Sequence, residues 1–289
     1  MPLEQEQKEF YQGFLFNKPN TKDIKKTVQR KKTDLLNFLK NTPLNGMTFL
    51  DYGGGTGMAA LAASELGLET FLYEIDEEAV EFLSALKQNK PIGIYSDLSQ
   101  FKEKKFDVIL CDNVIEHVDA PKELMKRLYS LLQPNGVLIF KTPNMRNIRM
   151  WLYPHLSLLH YIRKTMVYNN LSVAVRALLF RPWCLDPPRH LFSFSKQSLH
   201  VLGKATSSTE IEIGNCPNNS LFLASIYNGL KNARTTVFNK IALGFILLTL
   251  LPLLFLLQIA DWIIQNLSAF EIYMKIKKPK SLENVTSSL

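Results

Sequence analysis

The sequence predicts an α/β fold, a doubly wound and mainly parallel sheet with helices on both faces. Three observations carry this. Strand-length apolar runs alternate with helix-length runs from residue 46 to residue 144. A glycine-rich turn, Phe49-Leu-Asp-Tyr-Gly-Gly-Gly-Thr-Gly57, joins the first of those strands to the first of those helices. A second strand, Thr70-Phe-Leu-Tyr-Glu74, then ends in a carboxylate, at the distance of about 20 residues that separates a phosphate turn from a ribose-binding acid in nucleotide folds.

Each element has its own signal. Residues 1–45 are polar and basic, with a helix expected from Thr21 to Leu39 because Ile24, Val28, Leu35, Leu36 and Leu39 recur at helical intervals. We read this region as an N-terminal helical extension. Thr42-Pro-Leu-Asn-Gly46 is a turn. Met47–Asp51 is a strand, and Gly57–Leu66 an alanine-rich helix ended by Gly67. Thr70–Glu74 is a strand, Glu77–Lys87 a helix, Ile92–Tyr95 a short strand and Phe106–Asp112 a longer one. Pro121–Leu132 is a helix opened by proline, which is tolerated in a first turn. Pro134-Asn-Gly136 is a turn before the strand Val137–Lys141.

After Thr142-Pro-Asn144 the alternation stops. In residues 145–194, Trp151, Tyr153, Tyr161 and Trp183 are interspersed with Arg146, Arg149, Arg163, Lys164 and Arg176. This segment reads as an inserted helical cap over the sheet edge. Residues 195–289 complete the fold with a helix at Ser195–Leu202 and a strand at Glu210–Ile213. In Ala269–Lys277, Phe270, Ile272, Met274 and Ile276 alternate with Glu271, Tyr273, Lys275 and Lys277, the period of a strand. That makes seven strands in all.

Composition narrows the function classes. Three cysteines, Cys111, Cys184 and Cys216, are far apart and form no CxxC pair. This argues against a disulfide framework or a zinc site and fits a reducing cytoplasm. The net charge of +8 suggests an anionic partner, a phospholipid surface or nucleic acid. The first residues lack a basic patch followed by an apolar run, so no signal peptide is expected.

The glycine turn carries the chemistry. Asp51 at a strand end, followed by Gly53, Gly55 and Gly57, places backbone N–H groups around a ligand at a helix start. Glu74, at the end of the next strand, can accept hydrogen bonds from two ribose hydroxyls. Asp76 is the alternative for that role, one step into the loop. Asp97, after the third strand, can accept from an adenine amino group. The spacing is GxGxG and not GxGxxG, so no pyrophosphate is cradled.

At this point the chain resembles the class I S-adenosylmethionine-dependent methyltransferases, whose motif DxGxGxG stands here as Asp51-Tyr-Gly-Gly-Gly-Thr-Gly57. Gly54 sits where many relatives carry another small residue. Phe106-Asp-Val-Ile-Leu-Cys-Asp-Asn-Val-Ile-Glu-His-Val118 looks like the family's FDxIxxxxVLEHV, and Leu132-Gln-Pro-Asn-Gly-Val-Leu-Ile-Phe140 like its LxPGGxLxxxxP. Asp186-Pro-Pro-Arg-His-Leu-Phe-Ser-Phe-Ser195 looks like the PRHLxxFS box of a subgroup acting on small molecules and lipids. The resemblance implies a Rossmann-like core over residues 46–144. It also implies an S-adenosylmethionine site formed by Asp51, Gly53, Gly55, Gly57, Glu74, Ile75, Asp97, Leu98 and Asn113.

Methyl transfer from a sulfonium is an in-line displacement in which the protein aligns the nucleophile, the methyl and the sulfur. A hydroxyl nucleophile also needs a base near neutral pH. His117, after the fourth strand, and His190, in the cap, are the candidates, with Asp112 and Glu116 ranked below them. No metal is expected, although the histidine and acids around 112–117 leave room for one.

Ile241–Ala260 is a twenty-residue run without a charge, which as one helix would be about 30 Å long, enough to cross a bilayer. Pro252 interrupts it, and the strand expected at 269–277 has to return to the sheet. Lys231, Arg234 and Lys240 before the run, and Lys275, Lys277, Lys278 and Lys280 after it, fit both ends being cytoplasmic. We favour a monotopic insertion over residues 241–264. A transmembrane helix and a helix buried in the core or a dimer interface remain open.

The reading is therefore a cytoplasmic, membrane-associated S-adenosylmethionine-dependent methyltransferase acting on a small or lipid-like acceptor, on oxygen. A non-catalytic scaffold with the same fold is the alternative. A nicotinamide oxidoreductase is disfavoured by the glycine spacing. Nucleic-acid methylation is disfavoured because no Asn-Pro-Pro-Tyr or Asp-Pro-Pro-Tyr motif follows the fourth strand. Oligomeric state is not legible.

Overall fold

A computed structural model of the chain describes residues 21–146, 190–216 and 269–280, apart from 41, 88, 89, 102, 207, 209 and 270. The elements in chain order are α1 (Thr21–Phe38), β1 (Thr48–Tyr52), α2 (Met58–Glu65), β2 (Glu69–Tyr73), α3 (Glu77–Leu86) and β3 (Ile92–Tyr95). A 3-10 turn at Leu98–Phe101 follows, then β4 (Phe106–Asp112), α4 (Pro121–Ser130), β5 (Leu132–Pro143), α5 (Lys196–Gly203), β6 (Glu210–Asn215) and β7 (Glu271–Lys277). The expected cap and the apolar segment 241–264 lie outside the described residues, except for the edges of the cap at 145–146 and 190–194. Among the described residues, no helix is long and apolar enough to cross a membrane.

The strands form one seven-stranded sheet in the order β3-β2-β1-β4-β5-β7-β6. The pairs β3–β2, β2–β1, β1–β4 and β4–β5 are parallel. Residues 49–52 of β1 and 108–111 of β4 are buried, as befits central strands covered on both faces. The direction in which strands are added reverses between β1 and β4. In open α/β sheets, ligands bind beyond the strands' carboxyl ends at such a reversal.

Of the described residues, 21–142, 196–214 and 273–280 form one compact unit, while 143–146, 190–195, 215, 216, 269, 271 and 272 belong to a second. In the second unit, Asn144 bridges to Phe194, and its side-chain amide donates to the Ala269 carbonyl at 3.0 Å.

The helix of the expected N-terminal extension, α1, packs into the core of the first unit. Ile24, Val28, Leu35, Phe38 and Leu39 lie on one face of α1 and are buried in a cluster with Met58, Ala59 and Leu61 of α2. Complete burial of a leucine such as Leu35 contributes about 1.5–3 kcal/mol. Leu36, expected on the same stripe, is 48% exposed, because one residue after Leu35 the helix has turned outward.

One boundary needs correction. The turn expected at Pro134-Asn-Gly136 lies inside β5 as an irregularity. Phe106 pairs with Leu132, while Val108 pairs with Val137, so β5 holds extra residues opposite β4. Asn135 has φ +64°, which lets the chain bulge without breaking the strand. Its N–H donates to the Lys278 carbonyl, and the Lys278 N–H donates to the Gly136 carbonyl.

Candidate active site

The glycine turn sits at the carboxyl end of β1, beside the reversal in strand order. Gly53, Gly55 and Gly57 all have positive φ, between +53° and +71°, a region that costs other residues about 1–2 kcal/mol. Their surroundings differ. A Cβ on Gly53 would lie 2.6 Å from Val114 Cγ2, and one on Gly57 would lie 2.4 Å from Leu83 Cδ2. Among the described residues, a Cβ on Gly55 would meet nothing within 4 Å. Gly55 is thus the glycine of the turn whose face no described residue fills.

Glu74 lies immediately after β2 and is buried. Its Oε2 accepts from the Gly55 N–H at 2.7 Å, and its Oε1 accepts from the N–H groups of Ile75 at 2.8 Å and Asp76 at 3.0 Å. The carboxylate therefore ties the open glycine to the next strand end. Ile75 beside it is 67% exposed, unusual for a large apolar residue. Asp76 does not compete for Glu74's place. Its Oδ1 caps α3, accepting from Glu78 N–H at 3.0 Å and Ala79 N–H at 3.3 Å.

Asp97 is exposed after β3, and its carboxylate accepts from the Ser99 N–H at 2.8 Å and the Ser99 hydroxyl at 2.5 Å. Leu98 is half-buried at the start of the 3-10 turn.

Asp51, which the sequence reading groups with the ligand-facing acids, is 1% exposed. Its Oδ2 accepts from the Ala60 N–H at 3.0 Å, inside the first turn of α2. A Cβ on Gly54 would strike its carboxyl at 2.5 Å, so a residue larger than glycine at 54 would displace it. Burial pushes the Asp51 pKa up to about 7, opposed by Lys31 and helped by Asp112. Asp51 braces the turn from beneath.

The end of β4 holds a cluster that the sequence reading missed. Asp112 Oδ2 pairs with Lys31 Nζ of α1 and, at 3.2 Å, with Lys141 Nζ of β5. Lys141 is buried and lies 3.9 Å from Asp34 of α1. Asp112 Oδ1 accepts from the Asn113 amide at 3.1 Å. Burial raises the Asp112 carboxyl pKa, but Lys31 and Lys141 outweigh it and hold the group below the usual carboxylate range. Asp34 goes the other way, raised by burial against the pull of Lys141. Lys31 is hidden in the sequence within the run Lys25–Lys32. Its signal is spacing, three residues after buried Val28 and four before buried Leu35, which points it inward.

Asn113 follows with φ +57°, the left-handed conformation that turns the chain across the strand ends. Its N–H donates to the Lys141 carbonyl at 2.9 Å. Glu116 is buried and its Oε2 accepts from the Thr142 hydroxyl at 3.0 Å. His117 is half-buried, with Nε2 4.0 Å from Glu116 Oε1.

A family model described as a methyltransferase domain matches residues 24–206, more than half of the chain. The chain belongs to that methyltransferase family. The match begins inside α1, in accord with a helix that is part of the core.

Among curated relatives, the ubiquinone biosynthesis O-methyltransferase of Idiomarina loihiensis is 31% identical over 125 residues, covering 40% of this chain and 51% of the relative. The protein of the same name from Histophilus somni is 34% identical over 122 residues, covering 37% and 50%. The chain spans about half the length of the curated relatives it matches. Among solved structures, a SAM-dependent methyltransferase from Archaeoglobus fulgidus is 12% identical with a TM-score of 0.49, covering 88% of this chain and 94% of that one. The plantazolicin methyltransferase BamL, solved with SAH, is 14% identical with a TM-score of 0.49, covering 90% and 87%.

S-adenosylmethionine is the methyl donor of this methyltransferase family, and the residues present fit its parts. The open face of Gly55 admits backbone-close approach. Glu74 offers a carboxylate beside it, and exposed Ile75 offers an apolar surface for a base. The structure brings Gly53, Gly55, Gly57, Glu74 and Ile75 together beyond the carboxyl ends of β1 and β2. It places Asp97 and Leu98 at the end of β3 and Asn113 and His117 beyond β4. His190 is half-buried in the second unit.

Proposed function

We propose that this chain transfers a methyl group from S-adenosylmethionine to an oxygen of a small or lipid-like acceptor at a membrane surface. One observation carries the cofactor half of this reading. A buried carboxylate, Glu74, is joined at 2.7 Å to the one glycine of the turn whose face is open, at the reversal of strand order.

When bound, the cofactor supplies an electrophilic methyl on a sulfonium. The chain's own residues do the rest. The Glu74 carboxylate would accept from the ribose hydroxyls, Ile75 and Leu98 would flank the adenine, and Asp97 would accept from its amino group. The glycine turn keeps side chains out of the ligand's path, and Asp51 holds the turn to α2 from below. The Asn113 backbone meets the amino-acid end of the ligand. His117 takes the proton from the acceptor hydroxyl, and the neighbouring Glu116 carboxylate stabilises the imidazolium that results. His190 is the second candidate for that proton.

The acceptor class draws on the likeness to ubiquinone biosynthesis O-methyltransferases and on the uncharged run Ile241–Ala260. The test is to incubate the detergent-solubilised full chain with methyl-labelled S-adenosylmethionine and either membrane lipid extract or a water-soluble metabolite extract. The reading expects label as an ether or ester methyl on a molecule of one of the two extracts. No such label in either extract, from a chain that binds S-adenosylmethionine, would contradict it.

A further inference from the structure

The outward face of α1 carries a pattern that the methyl-transfer chemistry does not use. Lys25, Lys26, Gln29, Arg30, Thr33, Leu36 and Asn37 are exposed, while Ile24, Val28, Leu35, Phe38 and Leu39 are buried. At 3.6 residues per turn, the exposed positions form one continuous arc along the helix. Lys25, Lys26 and Arg30 lie on this arc, and exposed Lys40 follows in the turn after the helix. The outward arc carries no acid among the described side chains of α1. Asp34 is spent inward, 3.9 Å from Lys141. At the edge of the arc, Lys32 and Lys90 share the single carboxylate of Glu65, which adds further positive charge. Among the cations stands Leu36, 48% exposed.

We propose that this face of α1 docks on an anionic phospholipid surface. The inference rests on the membrane-surface part of the reading above and names the element and the lipid chemistry that serve it. Three cations on an arc with no acid among its described side chains match a bilayer's negative surface potential. A leucine between them enters the boundary of headgroups and acyl chains, where an apolar side chain gains, whereas a nucleic-acid backbone offers it nothing. The inner face of α1 is anchored in the core with α2 and by Lys31 on Asp112, so the helix docks already formed and pays no folding cost on binding.

The test is flotation of the full chain with phosphatidylcholine vesicles, with and without phosphatidylglycerol, at low and high salt. Wild type is expected to bind the phosphatidylglycerol vesicles more tightly and to lose that excess in salt. The triple variant Lys25→Gln, Lys26→Gln, Arg30→Gln is expected to lose on the order of 100-fold of it. Leu36→Ala should weaken binding several-fold at either salt. Circular dichroism and S-adenosylmethionine affinity in solution should match wild type in both variants, since these side chains face outward. The triple variant binding anionic vesicles as wild type does would overturn the proposal. So would equal wild-type binding to both vesicle types, which would assign membrane contact to the uncharged run. Capture of duplex DNA in preference to vesicles, lost in the triple variant, would make the face a nucleic-acid surface instead. Failure to methylate any small or lipid-like acceptor, with anionic docking intact, would overturn the acceptor reading and leave this one standing.

Discussion

Asp51 and Asp112 stand at the carboxyl ends of neighbouring parallel strands, and their carboxyls are driven in opposite directions. Asp51 has a backbone N–H for a partner and almost no solvent, and burial pushes it up to about 7. Asp112, two residues beyond the partner of Asp51 in β4, has two ammonium groups at its oxygen and is held below the usual range. Location on the sheet does not decide the charge state of a strand-end acid. The partners brought in from elsewhere do, and for Asp112 the first of them comes from α1, eighty-one residues upstream. The first acid is a brace that ties the end of β1 to the first turn of α2. The second is a rivet that fixes α1 across the strand ends.

The sharpest way to break the comparison is to remove the rivet. Asp112→Ala takes from buried Lys141 its carboxylate partner at 3.2 Å, and the expected cost is about 3–5 kcal/mol of unfolding free energy. Urea unfolding reads it. Lys31→Met should cost less, because Lys141 still pairs with Asp112. Equal losses would mean that α1, and not the ion cluster, carries the stability.

The next effect is in pH. With a folded pKa of about 7 against an ordinary 3.8, Asp51 keeps its proton in the folded state at pH values where the unfolded chain has released it. Its contribution to stability is therefore complete below about pH 4 and declines as pH rises through 7, by about 2–4 kcal/mol. Asp34, also raised, adds to this slope. The lowered pKa of Asp112 acts in the opposite sense and lower window: its stabilisation is complete above pH 4 and is lost as pH falls further. Asp51→Asn should flatten the melting temperature between pH 5 and 8 and leave the acid limb unchanged. A wild-type profile flat over that range would contradict the brace.

The smallest effects sharpen the contrast within the turn itself. Gly57→Ala incurs left-handed strain and drives into Leu83, for about 2–4 kcal/mol of stability. Gly55→Ala incurs the strain alone, about 1–2 kcal/mol, because its Cβ meets no atom of the described residues. Cofactor affinity should rank them the other way, with Gly55→Ala losing more per unit of stability lost. Thermal unfolding and ligand titration of the two variants check both rankings.

The contrast also shows what a sequence can carry. Strands, helices and the glycine turn were legible because periodicity and turn chemistry are local. The place of Glu74, just past a strand and beside the turn, was legible because it is itself a sequence interval. The brace was not distinguishable from a ligand-facing acid, since the side on which Asp51 lies depends on the packing of α2 and on Gly54 beneath it. Lys31 and Lys141 were not legible as partners of Asp112, because ion pairing across 81 and 29 residues of chain is set by tertiary packing. The bulge at Asn135 reads as a turn for good local reason, and only pairing with β4 and Lys278 draws it into β5.

The central claim is that Glu74 and the open glycine form the S-adenosylmethionine site. Calorimetric titration of the folded full chain with S-adenosylmethionine and S-adenosylhomocysteine, with NAD as control, tests it most directly when wild type and Glu74→Ala are run side by side. The account predicts micromolar binding of the first two to wild type, none of NAD, and a loss of about 1–3 kcal/mol in the variant. Unchanged affinity in a folded Glu74→Ala protein would contradict it.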